Sequence, residues 1–242
     1  MKSKPTSASD DAAQFDEYAS HYADLLRNPI RERFAASNRF FFERKLDVVR
    51  QFYRRRRLDT RTVTWLDVGC GQGDMLRLGH SYFKSASGCD VSERMLEWCA
   101  DLQVQRQPSP LEIPFADDSV DFATAICVYH HVPEDVRPSF TAEIFRVLRP
   151  GGIFCIIEHN PLNPATRLIV SRTPVDADAH LLSAGTAARL MSGAGATVLQ
   201  TRYFLWLPQQ IHKYASALED YLGAVPLGGQ YAVFAQVPPA RS

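Results

Sequence analysis

Three glycines lie close together at the end of a short apolar run. Gly69, Gly71 and Gly73 follow residues 63–68 and precede a stretch with helical character. Glycine has no Cβ, so it permits a sharp turn or the close approach of a ligand to the backbone. The free N–H groups at the start of the following helix can hold a carboxylate, a phosphate or another polar group. This loop is therefore predicted to bind a ligand.

Two carboxylates flank this loop and narrow the choice of ligand. Asp90 ends the next predicted strand, where it can accept hydrogen bonds from both ribose hydroxyls of an adenosine-containing cofactor. The glycine spacing is G-x-G-x-G, not the G-x-G-x-x-G of dinucleotide sites, and Asp67 precedes it. Asp67 would repel a pyrophosphate but suits the ammonium group of a methionine moiety. The combination favours S-adenosylmethionine over a dinucleotide.

Polar residues follow three other apolar runs, at the ends where ligands bind to parallel sheets. A histidine with a pKa near neutrality is the natural base for removing a proton from a hydroxyl nucleophile. His130 and His159 are both candidates for this base, and the sequence does not choose between them. Asp176, Asp178 and His180 form a polar cluster further on. Since no other metal ligands stand at a fixed spacing from it, no metal is predicted.

The elements that must position these groups alternate between strands and helices. Strands are predicted over 63–68, 86–90, 120–128, 153–158, 197–207 and 231–237. Helices are predicted over 15–26 and 31–53, from the glycine loop to about residue 82, and over 93–102, 134–148, 183–192 and 208–222. This alternation predicts an α/β, Rossmann-like, mostly parallel sheet with helices on both faces and an antiparallel last strand.

The domain boundaries follow from composition and periodicity. Residues 1–14 are predicted to be a disordered tail, and 15–57 a helical cap. Residues 58–242 are predicted to form the main domain, with a lid at 160–182 and an insertion at 208–230.

The bulk composition excludes several classes of partner. Lys plus Arg and Asp plus Glu both number 27, so no net charge attracts nucleic acid or an anionic membrane. No apolar run approaches the length of a membrane span, and no signal peptide is evident. The five cysteines show no metal-ligand spacing, which predicts a reducing cytoplasm. The oligomeric state is not predicted.

Four segments, taken in order, resemble the signature segments of class I S-adenosylmethionine-dependent methyltransferases, and in particular the bacterial subgroup of methyltransferase types 11 and 12. They read LDVGCGQGD, GCDVSERML, IPFADDSVDFATAICVYHHV and FRVLRPGGIFCIIEH. The resemblance covers roughly residues 15–195 and implies a seven-stranded sheet. It also implies cofactor contacts from these residues: Tyr18, Tyr22, Asp67, Gly69, Cys70, Gly71, Asp90, Val91, Met95 and Cys127.

One segment departs from the family pattern. Where many relatives carry Gly-Asp-Ala before the Leu-Pro-Phe motif, this chain has Pro108-Ser109-Pro110. Ser109 is predicted to replace that aspartate as the acceptor for the adenine edge, although the neighbouring proline nitrogens cannot donate a hydrogen bond there.

The resemblance implies methyl transfer from S-adenosylmethionine to a hydroxyl or amine of a small molecule, such as a glycan or natural-product intermediate. Two alternatives stay open. One is a non-catalytic cofactor-binding subunit that supports a partner enzyme, and the other is a nicotinamide-dependent oxidoreductase, which the glycine spacing disfavours.

Overall fold

A seven-stranded sheet in the order β3-β2-β1-β4-β5-β7-β6 forms the centre of the computed structural model, which describes residues 8–240. The strands β1 to β5 run parallel to one another, and β7 lies antiparallel between β5 and β6. The predicted fold class is thus confirmed. The strands are β1 (Thr64–Val68), β2 (Ser85–Asp90), β3 (Val104–Arg106), β4 (Val120–Ile126), β5 (Leu148–His159), β6 (Thr197–Phe204) and β7 (Gln230–Gln236).

Ten α-helices surround the sheet in the described part of the chain. Several begin at the residues that favour helix starts: Asn28, Asn163 and Ser183 each accept a backbone N–H of the first turn. The helices are α1 (Ala8–Tyr18), α2 (Tyr22–Leu25), α3 (Pro29–Phe34), α4 (Asn38–Arg55), α5 (Asp74–Gly79), α6 (Glu93–Leu96), α7 (Arg137–Val147), α8 (Pro164–Val170), α9 (Ala184–Gly193) and α10 (Gln209–Tyr221).

Each face of the sheet has its own apolar core, because successive side chains of a strand point to opposite faces. On β1, Leu66 and Val68 contribute to the core that also contains residues of α7 and α9. Trp65 contributes to the other core, with residues of α4 and α5. The central parallel strands β1, β4 and β5 are largely buried on both faces, and the carboxyl ends of all five parallel strands meet at one edge.

Several parts of the chain differ from the sequence predictions. Helix α1 begins at Ala8, inside the predicted tail, because alanine and N-terminal aspartates favour a helix start. Residues 1–7 lie outside the described residues. The helix predicted over 31–53 is two helices, since the backbone is extended at Ala35 and Ser37. Strand β3 was not predicted, because it has three residues of which only Val104 is apolar.

No helix in the described residues is long and apolar enough to cross a membrane. The boundaries predicted for the cap, lid and insertion stay predictions.

Helix α4 is attached to the sheet by aromatic stacking. Phe52 is fully buried, and its ring lies parallel to that of Phe234 on β7 with the centroids 4.0 Å apart. We expect Phe52→Ala to lower the free energy of unfolding by about 3–5 kcal/mol, the range for removing a buried aromatic ring. Urea denaturation measures this change. Tyr214→Ala is the control, since Tyr214 is 92% exposed. A loss of less than about 1 kcal/mol for Phe52→Ala would contradict this packing.

Candidate active site

A cavity of about 590 Å³ opens at the carboxyl ends of the parallel strands. Residues that follow β1, β2, β3, β4 and β5 contribute to its walls, and α1 to α4 and α8 complete them. A ligand site at this edge is expected for an open parallel sheet. The cavity joins a polar end, beside the glycine loop, to an apolar end beneath the cap.

The glycine loop adopts a backbone conformation that side chains disfavour. Gly69, Gly71 and Gly73 have φ values of +72°, +53° and +79°. A Cβ on Gly69 would lie 2.5 Å from a methyl carbon of Val128, so this position needs glycine for space as well. A Cβ on Gly71 would meet nothing within 4 Å, because Gly71 faces the cavity. The loop therefore presents bare backbone to a ligand.

Asp90 holds this loop in place and faces the same cavity. Its Oδ2 accepts the N–H of Gly71 at 2.8 Å, and its Oδ1 accepts the N–H of Ser92 at 2.9 Å. Burial raises the pKa of Asp90, and the N–H donors act in the opposite direction. An ionised carboxylate can accept about four hydrogen bonds, so Asp90 has capacity left for two hydroxyl groups of a ligand.

Asp67 is a second buried carboxylate on the wall of the cavity. Thr124 donates its hydroxyl to Asp67 Oδ1 at 2.6 Å, and Trp65 donates its indole N–H to Thr124 at 2.8 Å. Burial raises the pKa of Asp67 to about 7. A cation placed beside Asp67 would favour its ionised form.

Most of the predicted cofactor residues line the cavity, and two do not. The lining residues are Tyr22, Asp67, Gly69, Cys70, Gly71, Asp90, Val91, Met95 and Cys127. Tyr18 is outside the lining, and its hydroxyl accepts a hydrogen bond from Gln14 Nε2 at 2.9 Å. Ser109 is paired with Glu112 in a short β-bridge and is also outside the lining. The structure therefore does not support Tyr18 and Ser109 as cofactor contacts.

Gln107 occupies the position that Ser109 was predicted to fill. It follows β3 directly, lines the cavity and is 3% exposed. Its Nε2 donates to Pro110 O at 3.1 Å, which fixes the amide. Sequence reasoning missed Gln107 because it missed β3, although a polar residue directly after a strand was the available signal.

The cap closes over the polar end through specific hydrogen bonds. Gln72 Nε2 donates to Ala19 O at 2.8 Å, and Ser92 Oγ donates to Asp16 Oδ1 at 2.6 Å. The Phe15 ring lies edge-on to His131, with the centroids 5.0 Å apart. Through these contacts α1 and the following turn become part of the site.

His130 lies between two carboxylates in the buried floor of the site. Its Nδ1 is 2.5 Å from Glu158 Oε2, and its Nε2 is 3.3 Å from Asp176 Oδ1. Burial alone would lower its pKa, but the two carboxylates raise the pKa of His130 well above its ordinary value. An imidazole that already holds its proton is a poor base, so the geometry disfavours His130 in that role. Sequence reasoning did not anticipate that Glu158 and Asp176 flank it.

His159 faces the cavity beside a thiol and a buried amine. Gln230 Nε2 lies 3.4 Å from its Nδ1, and no carboxylate is recorded at either ring nitrogen in the described part of the chain. Lys45 Nζ lies 3.6 Å from Cys127 Sγ, which lies in turn 3.6 Å from Gln230 Nε2. Of the two predicted bases, His159 is therefore the one whose ring faces the cavity without a carboxylate partner among the described residues.

Cys127 carries an activated thiol at this point. Burial acts to raise its pKa, but Lys45 and His159 together lower the pKa of Cys127 to about 7. Its backbone has a φ of +58°, which is uncommon for a residue with a side chain. Lys45 itself was not singled out from the sequence, because a lysine within an amphipathic helix is usually exposed, whereas this one is only 6% exposed.

The other end of the cavity has apolar and aromatic walls, in contrast to the polar acceptor expected from the sequence. Two cations lie against these walls: the Arg31 guanidinium is 4.6 Å from the centroid of Phe41, and Lys45 Nζ is 4.8 Å from that of Phe42. The apolar lining consists of Leu26, Ile30, Phe34, Phe41, Phe42, Ile169, Leu205 and Trp206.

Comparison with known proteins finds sequence similarity to methyltransferases. Residues 66–156 match a family model described as a methyltransferase domain. The chain is 33% identical over 114 residues to a tRNA (carboxymethyluridine(34)-5-O)-methyltransferase of Arabidopsis thaliana, a match covering 46% of this chain and 28% of the relative. It is 32% identical over 97 residues to the 27-O-demethylrifamycin SV methyltransferase of Amycolatopsis mediterranei. This match covers 36% of this chain and 35% of the relative. The chain thus spans about a third of these relatives.

The fold has solved counterparts over nearly its whole length. A SAM-dependent methyltransferase from Thermotoga maritima, titled a possible histamine N-methyltransferase, superposes with a TM-score of 0.64 at 17% identity. The superposition covers 92% of this chain and 97% of the other. At this identity the likeness concerns the fold.

The thiol of Cys127 gives a direct test of the site's electrostatics. We expect iodoacetamide to alkylate Cys127 with an apparent pKa of about 7, the value set by its neighbours. Lys45→Met should raise this pKa, and a rise of about one unit lowers the thiolate fraction at pH 7 roughly fivefold. Mass spectrometry of the intact protein across pH 5.5–9 measures the rates.

The other four cysteines are buried and serve as internal controls. Cys127→Ser should abolish the fast phase of alkylation. If Lys45→Met left both the rate and its pH dependence unchanged, Lys45 would not be the group that activates this thiol.

Proposed function

We propose that this chain transfers the methyl group of S-adenosylmethionine to a small molecule, because residues 66–156 match a methyltransferase-domain model and the fold places a cavity at the strand ends. The accepting group is a hydroxyl or an amine. The observation that carries this proposal is one continuous cavity, with Asp67, Asp90 and the glycine loop at one end and His159 at the other.

The polar end fits the cofactor. The unused acceptor capacity of Asp90 suits two ribose hydroxyls, and Asp67 suits the ammonium of the methionine moiety. The open space at Gly71 allows a ligand to lie against the backbone. Gln107, at the end of β3, offers an amide to the edge of the adenine. When bound, S-adenosylmethionine supplies an electrophilic methyl group on a sulfonium.

The task left to the chain is to position the acceptor and remove its proton. His159 takes the proton of an acceptor hydroxyl, because its ring faces the cavity without a carboxylate partner. The buried ammonium of Lys45 stabilises the negative charge that develops on the acceptor oxygen. The aromatic walls exclude water from this end, which strengthens both effects.

The apolar walls support a particular class of acceptor. They favour a molecule with an apolar or aromatic body over a glycan, which would leave its hydroxyl groups without partners there. The relative that acts on demethylrifamycin SV is consistent with a natural-product acceptor. Localisation in the cytoplasm stays a prediction.

Exclusion of nucleic acid, predicted from zero net charge, is not supported, because relatives include a tRNA methyltransferase. Transfer RNA therefore belongs in the acceptor panel beside small molecules. The alternative of a non-catalytic cofactor-binding subunit is an outcome of the same experiments.

Cofactor binding can be tested separately from methyl transfer. We expect Asp90→Ala to weaken S-adenosylmethionine binding by about 100-fold, the cost of two hydrogen bonds to a charged group. Asp90→Asn should show a smaller loss, since it keeps one acceptor oxygen. Isothermal titration calorimetry measures the dissociation constants. Asp178→Ala is the control, because Asp178 is exposed and outside the cavity lining. An unchanged constant in Asp90→Ala would remove the ribose assignment.

Methyl transfer tests the role of His159. We expect His159→Ala to bind the cofactor normally and to turn over roughly 10²–10⁴-fold more slowly, the range for a lost general base. The assay uses methyl-labelled cofactor with fractionated cell extract, aromatic hydroxyl compounds and tRNA, and mass spectrometry identifies the product.

His180→Ala is the matched control, since His180 is an exposed histidine outside the cavity lining. Near-normal turnover in His159→Ala would rule out His159 as the base. Cofactor binding by the wild-type protein without transfer to any acceptor would favour the non-catalytic subunit.

A further inference from the structure

Three side chains from two distant segments converge beneath the cap. His130 and His131 follow β4, and Asp176 lies in the lid between α8 and α9. Asp176 Oδ1 lies 3.3 Å from His130 Nε2 and 3.7 Å from His131 Nε2. The donor atoms of all three residues lie within 4.8 Å of one another. These are the two imidazoles and one carboxylate that first-row transition metals bind.

The second observation concerns the ring of His130, which is 1% exposed. Its Nε2 is buried and makes no hydrogen bond to any described residue, although it is directed at this cluster. A buried polar atom without a partner is costly. A ligand that accepts the lone pair of Nε2 would remove that cost.

The other nitrogen of His130 is held as it is in metal sites. Its Nδ1 lies 2.5 Å from Glu158 Oε2, and Glu158 Oε1 accepts the N–H of Tyr129 at 2.7 Å. Metal-binding histidines usually donate their second N–H to a carboxylate or carbonyl, which fixes the tautomer and orients the ring. Glu158 would play this part toward His130.

The spacing of the donors agrees with a common coordination geometry. Donors about 2.1 Å from a tetrahedral cation lie about 3.4 Å from each other. The two measured distances, 3.3 Å and 3.7 Å, lie on either side of this value. The third separation, between the two imidazole nitrogens, is at most 4.8 Å.

We infer that His130 Nε2, His131 Nε2 and Asp176 Oδ1 form a binding site for a divalent transition-metal cation such as Zn²⁺, with Glu158 orienting His130. All three ligands line the cavity, so a remaining coordination position faces the space where an acceptor would lie. The charge is favourable, since the cation takes the place of the proton on His130 Nε2, and the two buried carboxylates of Asp176 and Glu158 then balance its two positive charges. The site does not depend on methyl transfer by this chain.

This site could not be predicted from the sequence, because Asp176 is at no recognised metal-ligand spacing from His130 and His131. The cluster considered there, Asp176 with Asp178 and His180, is not the one that forms. Asp178 and His180 are exposed, whereas the fold brings Asp176 to the two histidines after β4. A hydrogen bond from His180 N to His130 O at 2.8 Å holds the lid in this register.

The test is metal binding by the full chain after treatment with a chelator. Calorimetry with Zn²⁺ alone, and separately with Mg²⁺ alone, should show about one site per chain that prefers Zn²⁺ strongly, since imidazole ligands disfavour Mg²⁺. His131→Gln and Asp176→Asn should each weaken Zn²⁺ binding at least about tenfold, and Glu158→Gln about 10–100-fold. Asp178→Asn, in the same lid but exposed, is the matched control.

Two further measurements make the result independent of how the variants fold. Zn²⁺ should raise the melting temperature of the wild-type chain. It should also shift the ¹⁵N resonances of the His130 and His131 Nε2 atoms in the wild type. Absence of Zn²⁺ binding, binding unaffected by the His131 and Asp176 variants, or unshifted histidine resonances would overturn the site and leave His130 as an imidazolium shared by two carboxylates.

Discussion

The carboxylate of Asp90 is the point on which the arrangement of the site depends. It accepts the N–H of Gly71 with one oxygen and that of Ser92 with the other, so it joins the loop after β1 to the turn after β2. These two strands pair in parallel, Gly69 and Cys70 donate their N–H groups to Cys89 O, and the Asp90 side chain extends this connection beyond the strand ends. Because Asp90 is buried, these hydrogen bonds lie in a medium of low dielectric constant, where they are stronger than in water. The same carboxylate then has capacity for a ligand.

Charge in the interior of this cavity is balanced by pairs that are far apart in sequence. Asp67 and Cys127 both come under the influence of Lys45, an amine that is buried on α4. Burying a charge without a counter-charge is expensive, so the nearby amine of Lys45 favours the ionised forms of both acidic groups. A helix that covers the sheet thereby also tunes the chemistry of the site. The stacking of Phe52 on Phe234 has a functional consequence for this reason, since it fixes the helix that carries Lys45.

The architecture and the polar end of the cavity could be predicted from sequence, because local patterns encode both. Alternating apolar runs gave six of the seven strands, and the glycines and Asp90 are signals within single segments. Strand β3 was not predicted, because it is a strand through its pairing with β2 and not through its own composition. Gln107 was lost with it. The environment of His130 was beyond prediction for a related reason: Glu158 and Asp176 reach it only through tertiary packing. The direction of a pKa shift requires knowledge of burial and partners, and neither can be inferred from spacing.

Ser92 makes two hydrogen bonds that connect the cofactor end of the cavity to helix α1. Its backbone N–H donates to Asp90, and its hydroxyl donates to Asp16 on α1. One residue thus links the carboxylate that faces a ligand to the helix that covers it, without any intervening element. A ligand that displaces the Asp90 side chain would disturb Ser92, the residue whose hydroxyl donates to Asp16 on α1. Conversely, departure of α1 frees the Ser92 hydroxyl and loosens the turn beside Asp90. The covering helix and the carboxylate beneath it are therefore coupled through the two hydrogen bonds of a single residue.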